Sequence, residues 1–261
     1  MNKRSRTTRL RIEWWLPALI VVFFLSVWEW QVREGRLSAL FFPPPSAIAL
    51  SLKELFKNGE MTKNLNATLF RVFAGFFLGG LPGLILGLCM GWSKRIRTII
   101  DPFVAAAHPM PKIAILPLIL IVFGIGEISM VMTVAVAAFF PMLINTMAGV
   151  EQISPIYFEV AQNYGANRIK VFTRVILPGS LLMIITGIRL SLNISLLISI
   201  AVELVIAKKG LGAMIWFAWE TLQTEILYAS LFIIAVLGII LNYTLQYIAL
   251  HIIPWHEVRE A

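Results

Sequence analysis

Residues Ala67–Trp92 read ATLFRVFAGFFLGGLPGLILGLCMGW, a run with one charge, Arg71. It exceeds the ~20 mostly apolar residues that a helix needs to cross a bilayer. Glycine recurs at 75, 79, 83, 87 and 91, every fourth position. Between helices in lipid there is little hydrophobic drive, so close backbone approach at small residues supplies the contact energy. The run therefore predicts a transmembrane helix packed tightly on neighbouring spans.

Five further runs have this character: Trp14–Gln31, Val104–Gly124, Ile128–Val150, Leu181–Val205 and Ile226–Leu250. Composition agrees. The 261 residues are 59% hydrophobic and 14% charged, against ~45–50% and ~25% in soluble domains. A buried helical bundle in a soluble protein is excluded, because too little polar sequence remains to coat it. The fold class is an all-α, polytopic membrane protein of six transmembrane helices.

The N-terminal tail, with Lys3, Arg4, Arg6, Arg9 and Arg11, precedes the first run as in a signal peptide. That run is longer than the ~7–15 residues of a signal h-region and has no small-residue cleavage site after it. An uncleaved first helix is expected. With the N-terminus inside, twelve basic residues fall on the inner side and seven on the outer. This is the asymmetry that orients membrane proteins, and it places both termini in the cytoplasm. It also accounts for the +8 formal charge, and no basic–aromatic module for nucleic acid is present.

The expected map is a basic tail at 1–13, a first transmembrane helix at 14–32 and an outer loop at 33–66. Five spans follow within 67–251, with an inner loop at 151–179 and a tail at 252–261. In the outer loop, Phe42-Pro43-Pro44-Pro45-Ser46 makes a rigid turn. Ser46 is expected to cap an amphipathic helix through Ala47–Asn58, with Ile48, Leu52 and Phe56 on one face. An interfacial and a solvated position for it both remain open.

The third run opens with His108-Pro109-Met110-Pro111-Lys112 and contains Pro117. Prolines remove backbone donors and kink helices. Irregular backbone at membrane depth is tolerated where protein covers it or where it lines a cavity, so this run is the physical candidate for a pathway. In the inner loop, Ser154-Pro155 reads as a helix start, Glu159 lies near it and Gly165 suits its end. A second short helix is expected through Arg174, before Leu177-Pro178-Gly179 enters the fifth span. Two short helices there suit docking to a partner.

Charges within spans are costly and mark functional candidates. Lys112, Arg189 and Glu203 are the deepest, and a cationic pair of Lys112 and Arg189 would attract an anion. His108 and Met110 accompany them as candidate path residues. A structural role for each remains open, and Arg71 is expected to snorkel. Cys89 is solitary, so no disulfide or Cys/His zinc site is expected. No Gly-Lys-Ser/Thr phosphate loop, H-E-x-x-H or G-x-S-x-G occurs. The chain is expected to be non-catalytic, with any motor on another subunit.

These residues resemble the membrane-spanning subunit of a type I bacterial ABC importer. The family's signature is Glu-Ala-Ala, three residues, Gly, nine residues, Ile-x-Leu-Pro. It appears here as Glu159-Val160-Ala161, Gly165 and Val175-Ile176-Leu177-Pro178, with Val160 and Val175 departing conservatively. Pro109-Met110-Pro111-Lys112-Ile113-Ala114, Pro117-Leu118 and Phe123-Gly124-Ile125-Gly126 are similar to permeases for nitrate, sulfonate, taurine and thiamine-precursor pyrimidines. So are Phe42–Ser46, Gly210-Leu211-Gly212 and Pro254-Trp255-His256. Val122 stands where members often carry Trp.

The resemblance implies two permease copies, two ATPase subunits holding ATP and Mg, and an external binding protein. Glu159, Ala161, Gly165, Arg168, Leu177 and Pro178 would form the ATPase-coupling loop. The cargo would be a small oxyanion or, alternatively, a neutral pyrimidine. A stand-alone secondary transporter would need paired repeats or membrane carboxylates, and Glu203 is the only deep one.

Overall fold

The computed structural model describes residues 4–252, with side chains described from 15 to 251. Among the described residues every regular element is helical. The chain forms two compact units, Met1–Thr62 with Met214–Phe232, and Lys63–Ala213 with Ile233–Ala261.

In the first unit α1 (Arg4–Arg33) contains the apolar stretch Trp15–Arg33. Trp15, Phe23 and Phe24 are exposed along it, as on a helix facing hydrocarbon. Helix α2 (Pro45–Lys57) starts two residues before the expected Ala47, with Pro44 rather than Ser46 as N-cap. A proline at the first helical position has its φ already set and loses no needed donor. Ser46 serves the turn differently: its N–H and Oγ donate to Glu29 at 3.0 and 2.8 Å.

Helix α3 (Glu60–Trp92) begins before the expected Ala67. After it come α4 (Lys94–Ala107), a 3-10 turn at Lys112–Ile115, and α5 (Leu116–Phe123). The expected continuous span Val104–Gly124 is therefore corrected. Its helix breaks at 108–111, and α4 and α5 stand at 93°. Pro109 and Pro111 supply no N–H where the ladder would have to continue.

Helix α6 (Glu127–Glu151) is the most buried span. The glycines of α3 lie directly on it. A Cβ on Gly79 would strike the Ala135 carbonyl, and Cβ atoms on Gly83 and Gly87 would come 2.6 Å from the carbonyls of Phe139 and Leu143. The four-residue glycine spacing thus packs helix on helix, as the sequence predicts.

Beyond α6, α7 (Pro155–Asn163) and α8 (Arg168–Val171) form the loop before α9 (Leu177–Ile206). The expected second short helix does not stop at Leu177-Pro178-Gly179. A π-helical turn, Phe172–Ile176, joins α8 to α9. Pro178 removes one i→i−4 donor, and the widened turn carries the chain past it. Helix α10 (Leu211–Glu220), which the hydropathy did not separate, precedes α11 (Thr224–Ile252). The motif Pro254-Trp255-His256 lies outside the described residues.

Helices α6 and α9 share a core of Met130, Val134, Ala137, Ile198 and Val202, and Ser191 Oγ donates to the Ala138 carbonyl at 2.9 Å. Ion pairs join neighbouring helices to α6 at two levels. Arg97, at the start of α4, pairs with Glu151 at the end of α6. Glu127, at the start of α6, pairs with Arg71, three turns into α3. Arg71 and Trp92 are 21 residues apart on one helix, about 32 Å. Five helices are long and apolar enough to cross a membrane, or six if the bent pair α4–α5 counts as one span.

Candidate functional site

The signature between α6 and α9 builds a short helix closed at both ends. Pro155 opens α7 behind Ser154, whose hydroxyl makes no capping bond, contrary to the expected N-cap contact. At the other end Gly165 adopts φ +67°. Its N–H donates to the Gln162 carbonyl at 2.9 Å, and the Ala166 N–H donates to that of Ala161 at 2.9 Å. These two bonds form a Schellman closure, which requires a left-handed residue that glycine adopts without strain. Ala161 and Gly165, spaced four apart in the signature, thus end one helix together.

Helix α7 has no buried residue. Tyr157, Val160 and Tyr164 stand exposed, Tyr164 at 88%, and Glu159 is exposed among them. These side chains form an exposed patch on α7 rather than a core. Asn167 accepts from the Lys170 N–H and starts α8. Arg168 borders a recess of about 750 Å³ between α7 and Trp92-Ser93-Lys94. Leu177 and Pro178 lie at the start of α9, exposed.

Lys112 sits in the break between α4 and α5. Its Nζ donates to the carbonyls of Ala107, His108 and Met110 at 2.8, 2.8 and 3.0 Å. It also lies 4.1 Å from the Phe140 ring centroid. An ammonium has three donors, and here all three serve carbonyls at the broken helix end. His108 stacks on Phe140 at 5.8 Å, and Met110 is 52% exposed.

Arg71 does not snorkel, which corrects the sequence expectation: it is 1% exposed. Its Nε and Nη2 donate to Glu127 at 2.8 and 2.6 Å, and its Nη1 donates to Glu203 and to the Lys209 carbonyl at 2.8 and 2.6 Å. Glu203 also accepts from Thr68 Oγ1, the Gly212 N–H and Ser199 Oγ. The Leu211 and Gly210 N–H groups donate to Thr68 and Asn64. A path candidate from sequence, Glu203 is enclosed here by its own chain.

This cluster explains Gly210-Leu211-Gly212, whose three N–H groups all point into it. A Cβ on Gly212 would meet the Ile200 carbonyl at 2.5 Å, and Gly210 has φ +129°. Sequence reasoning missed Glu127 and Thr68 here, and Arg71 as their hub. The usable signal was an apolar span holding one arginine near two span-end carboxylates. Arg189 is exposed and makes no ion pair among the described residues.

Five apolar helices long enough to cross a membrane, with one further bent pair, define a polytopic α-helical membrane protein. The chain belongs to the family of binding-protein-dependent transport system inner membrane components, whose model matches residues 79–255. It is an ABC importer permease component.

It is 34% identical over 268 residues to the taurine transport system permease protein TauC of Escherichia coli strain K12, covering 98% of this chain and 97% of that one. The putative aliphatic sulfonates transport permease protein SsuC of Bacillus subtilis strain 168 is 33% identical, with 98% and 93% covered. The fold is similar to the inward-facing MetNI methionine ABC transporter (TM-score 0.62, 18% identity, 71% of this chain and 93% of that one). It is also similar to an amino acid ABC transporter solved with histidines (TM-score 0.60, 22%, 77% and 94%).

Proposed function

We propose that this chain forms the translocation path for a small oxyanion of the sulfonate class. The cargo is delivered by an external binding protein, and ATP hydrolysis on two separate ATPase subunits drives import. Two copies of the chain make the membrane domain. Residues 1–13, 151–179 and 252–261 face the cytoplasm, and 33–66 face outward.

The observation that carries this reading is α7. Its closure at Ala161 and Gly165 holds Glu159 and the exposed Tyr157, Val160 and Tyr164 in one rigid docking element. Force applied there crosses the short turn at 164–167 to α8, which runs through the π turn into α9 as one stretch, Arg168–Ile206. Arg168, Lys170 and Arg174 add positive charge to the same end. The cargo class rests on the 34% and 33% identity to permeases for taurine and aliphatic sulfonates.

The test is ATP-driven uptake in proteoliposomes containing the chain, its ATPase and its binding protein, with taurine, an alkanesulfonate, nitrate and an aminopyrimidine as probes. Sulfonate uptake that requires the ATPase is expected. Uptake of the aminopyrimidine alone would overturn the cargo assignment, and uptake without the ATPase would overturn the machine.

A further inference from the structure

Two asparagines touch between α9 and α11, on apolar helices where hydrocarbon is the expected surrounding; Asn193 is half-buried and Asn242 exposed. Asn193 on α9 donates through Nδ2 to Asn242 Oδ1 on α11 at 3.3 Å, and Asn242 Nδ2 donates to the Gly238 carbonyl one turn away at 3.2 Å. Both lie deep. Asn193 is 13 residues from the end of α9 at Ile206, about 20 Å, and Asn242 is 18 residues from the start of α11 at Thr224, about 27 Å. One turn below Asn193, on the same face of α9, stands the exposed Arg189.

This group has unused donors. Each asparagine amide carries two N–H groups and uses one, and Arg189 carries five with no ion pair among the described residues. Leu181–Val205 holds just one other charge, Glu203, which is committed to Arg71. A guanidinium and two open amides cannot face lipid tails without large cost, so a polar guest or water must meet them.

We infer that Arg189 and the Asn193–Asn242 pair form a binding subsite for a sulfonate in the translocation path. The inference rests on the function proposed above and adds the residues that contact the cargo. The chemistry is matched: a sulfonate has one negative charge shared over three oxygens, and the site offers one planar fork of donors and neutral amide N–H groups. A single cation suits passage, because binding in a pathway must be weak enough for release. No carboxylate is available at this level of α9 to repel the anion.

The test uses the full complex in proteoliposomes, with Cys89→Ser as background. Asn193→Cys and Asn242→Cys are exposed to the anionic thiol reagent sulfonatoethyl methanethiosulfonate, with Val22→Cys on the lipid-exposed α1 as control. Both positions should react at least ten-fold faster than the control, and taurine should slow them. Arg189→Met should lower taurine uptake at least ten-fold while ATPase stimulation by the binding protein persists, and Arg189→Lys should recover part of it.

Reaction no faster than the control would show that this face meets lipid or a second copy, and would overturn the subsite. Wild-type sulfonate uptake that Arg189→Met leaves unchanged would overturn it too, with the proposed function intact. Wild-type import of an aminopyrimidine and no sulfonate would overturn both.

Discussion

Arg71 and Glu203, 132 residues apart in sequence, meet at 2.8 Å with side chains 1% and 0% exposed. Arg71 holds a second carboxylate, Glu127, whose side chain is 58% exposed. Removing one partner of a buried pair leaves an uncompensated charge and costs about 3–5 kcal/mol. An exposed pair contributes about 0–1 kcal/mol.

Glu203→Gln should therefore lower the thermal unfolding midpoint of the detergent-purified protein markedly, and Glu127→Gln only slightly. Equal shifts would show that burial does not rank the two arms.

Gly79 and Gly80 are neighbours with opposite surroundings. A Cβ at Gly79 collides with the Ala135 backbone, whereas one at Gly80 first meets Phe76 at 3.5 Å. Gly79→Ala should separate α3 from α6 and cost about 1–3 kcal/mol, as overpacking does. Gly80→Ala should be neutral. Unfolding midpoints of the two variants decide this.

Gly165 has φ +67° with nothing within 4 Å of a built Cβ, so its requirement is conformational rather than steric. Gly165→Val should leave the spans folded but cost about 1–2 kcal/mol locally, loosening the end of α7. Expected are normal expression and a lowered ratio of molecules imported to ATP hydrolysed. An unchanged ratio would remove α7 closure from coupling.

Lys112→Met strips three carbonyls of their donor. Unsatisfied buried acceptors cost about 1–3 kcal/mol each at most, less where water reaches them. The variant should be less stable and should import the anion more slowly. Import at the wild-type rate would confine Lys112 to holding the break.

Much of this was legible in the sequence because the signals are local. Apolar length gave the spans, the glycine spacing gave close packing of α3 on a neighbour without naming α6, and Pro155 with Gly165 bounded α7. Boundaries moved where prolines decided them: Pro45 took the helix start from Ser46, Pro109 and Pro111 broke the third span, and Pro178 was absorbed by a π turn. Partnerships stayed hidden. Arg71 with Glu203, and Asn193 with Asn242, depend on which helices pack together, and hydropathy treats each residue alone.

The central claim is that a separate ATPase drives import by engaging α7. It is tested most directly by Glu159→Arg in the reconstituted complex, measuring ATP hydrolysis and substrate uptake together. The account predicts an intact membrane domain, with uptake lost and hydrolysis no longer linked to it. Normal ATP-driven uptake by that variant would contradict it.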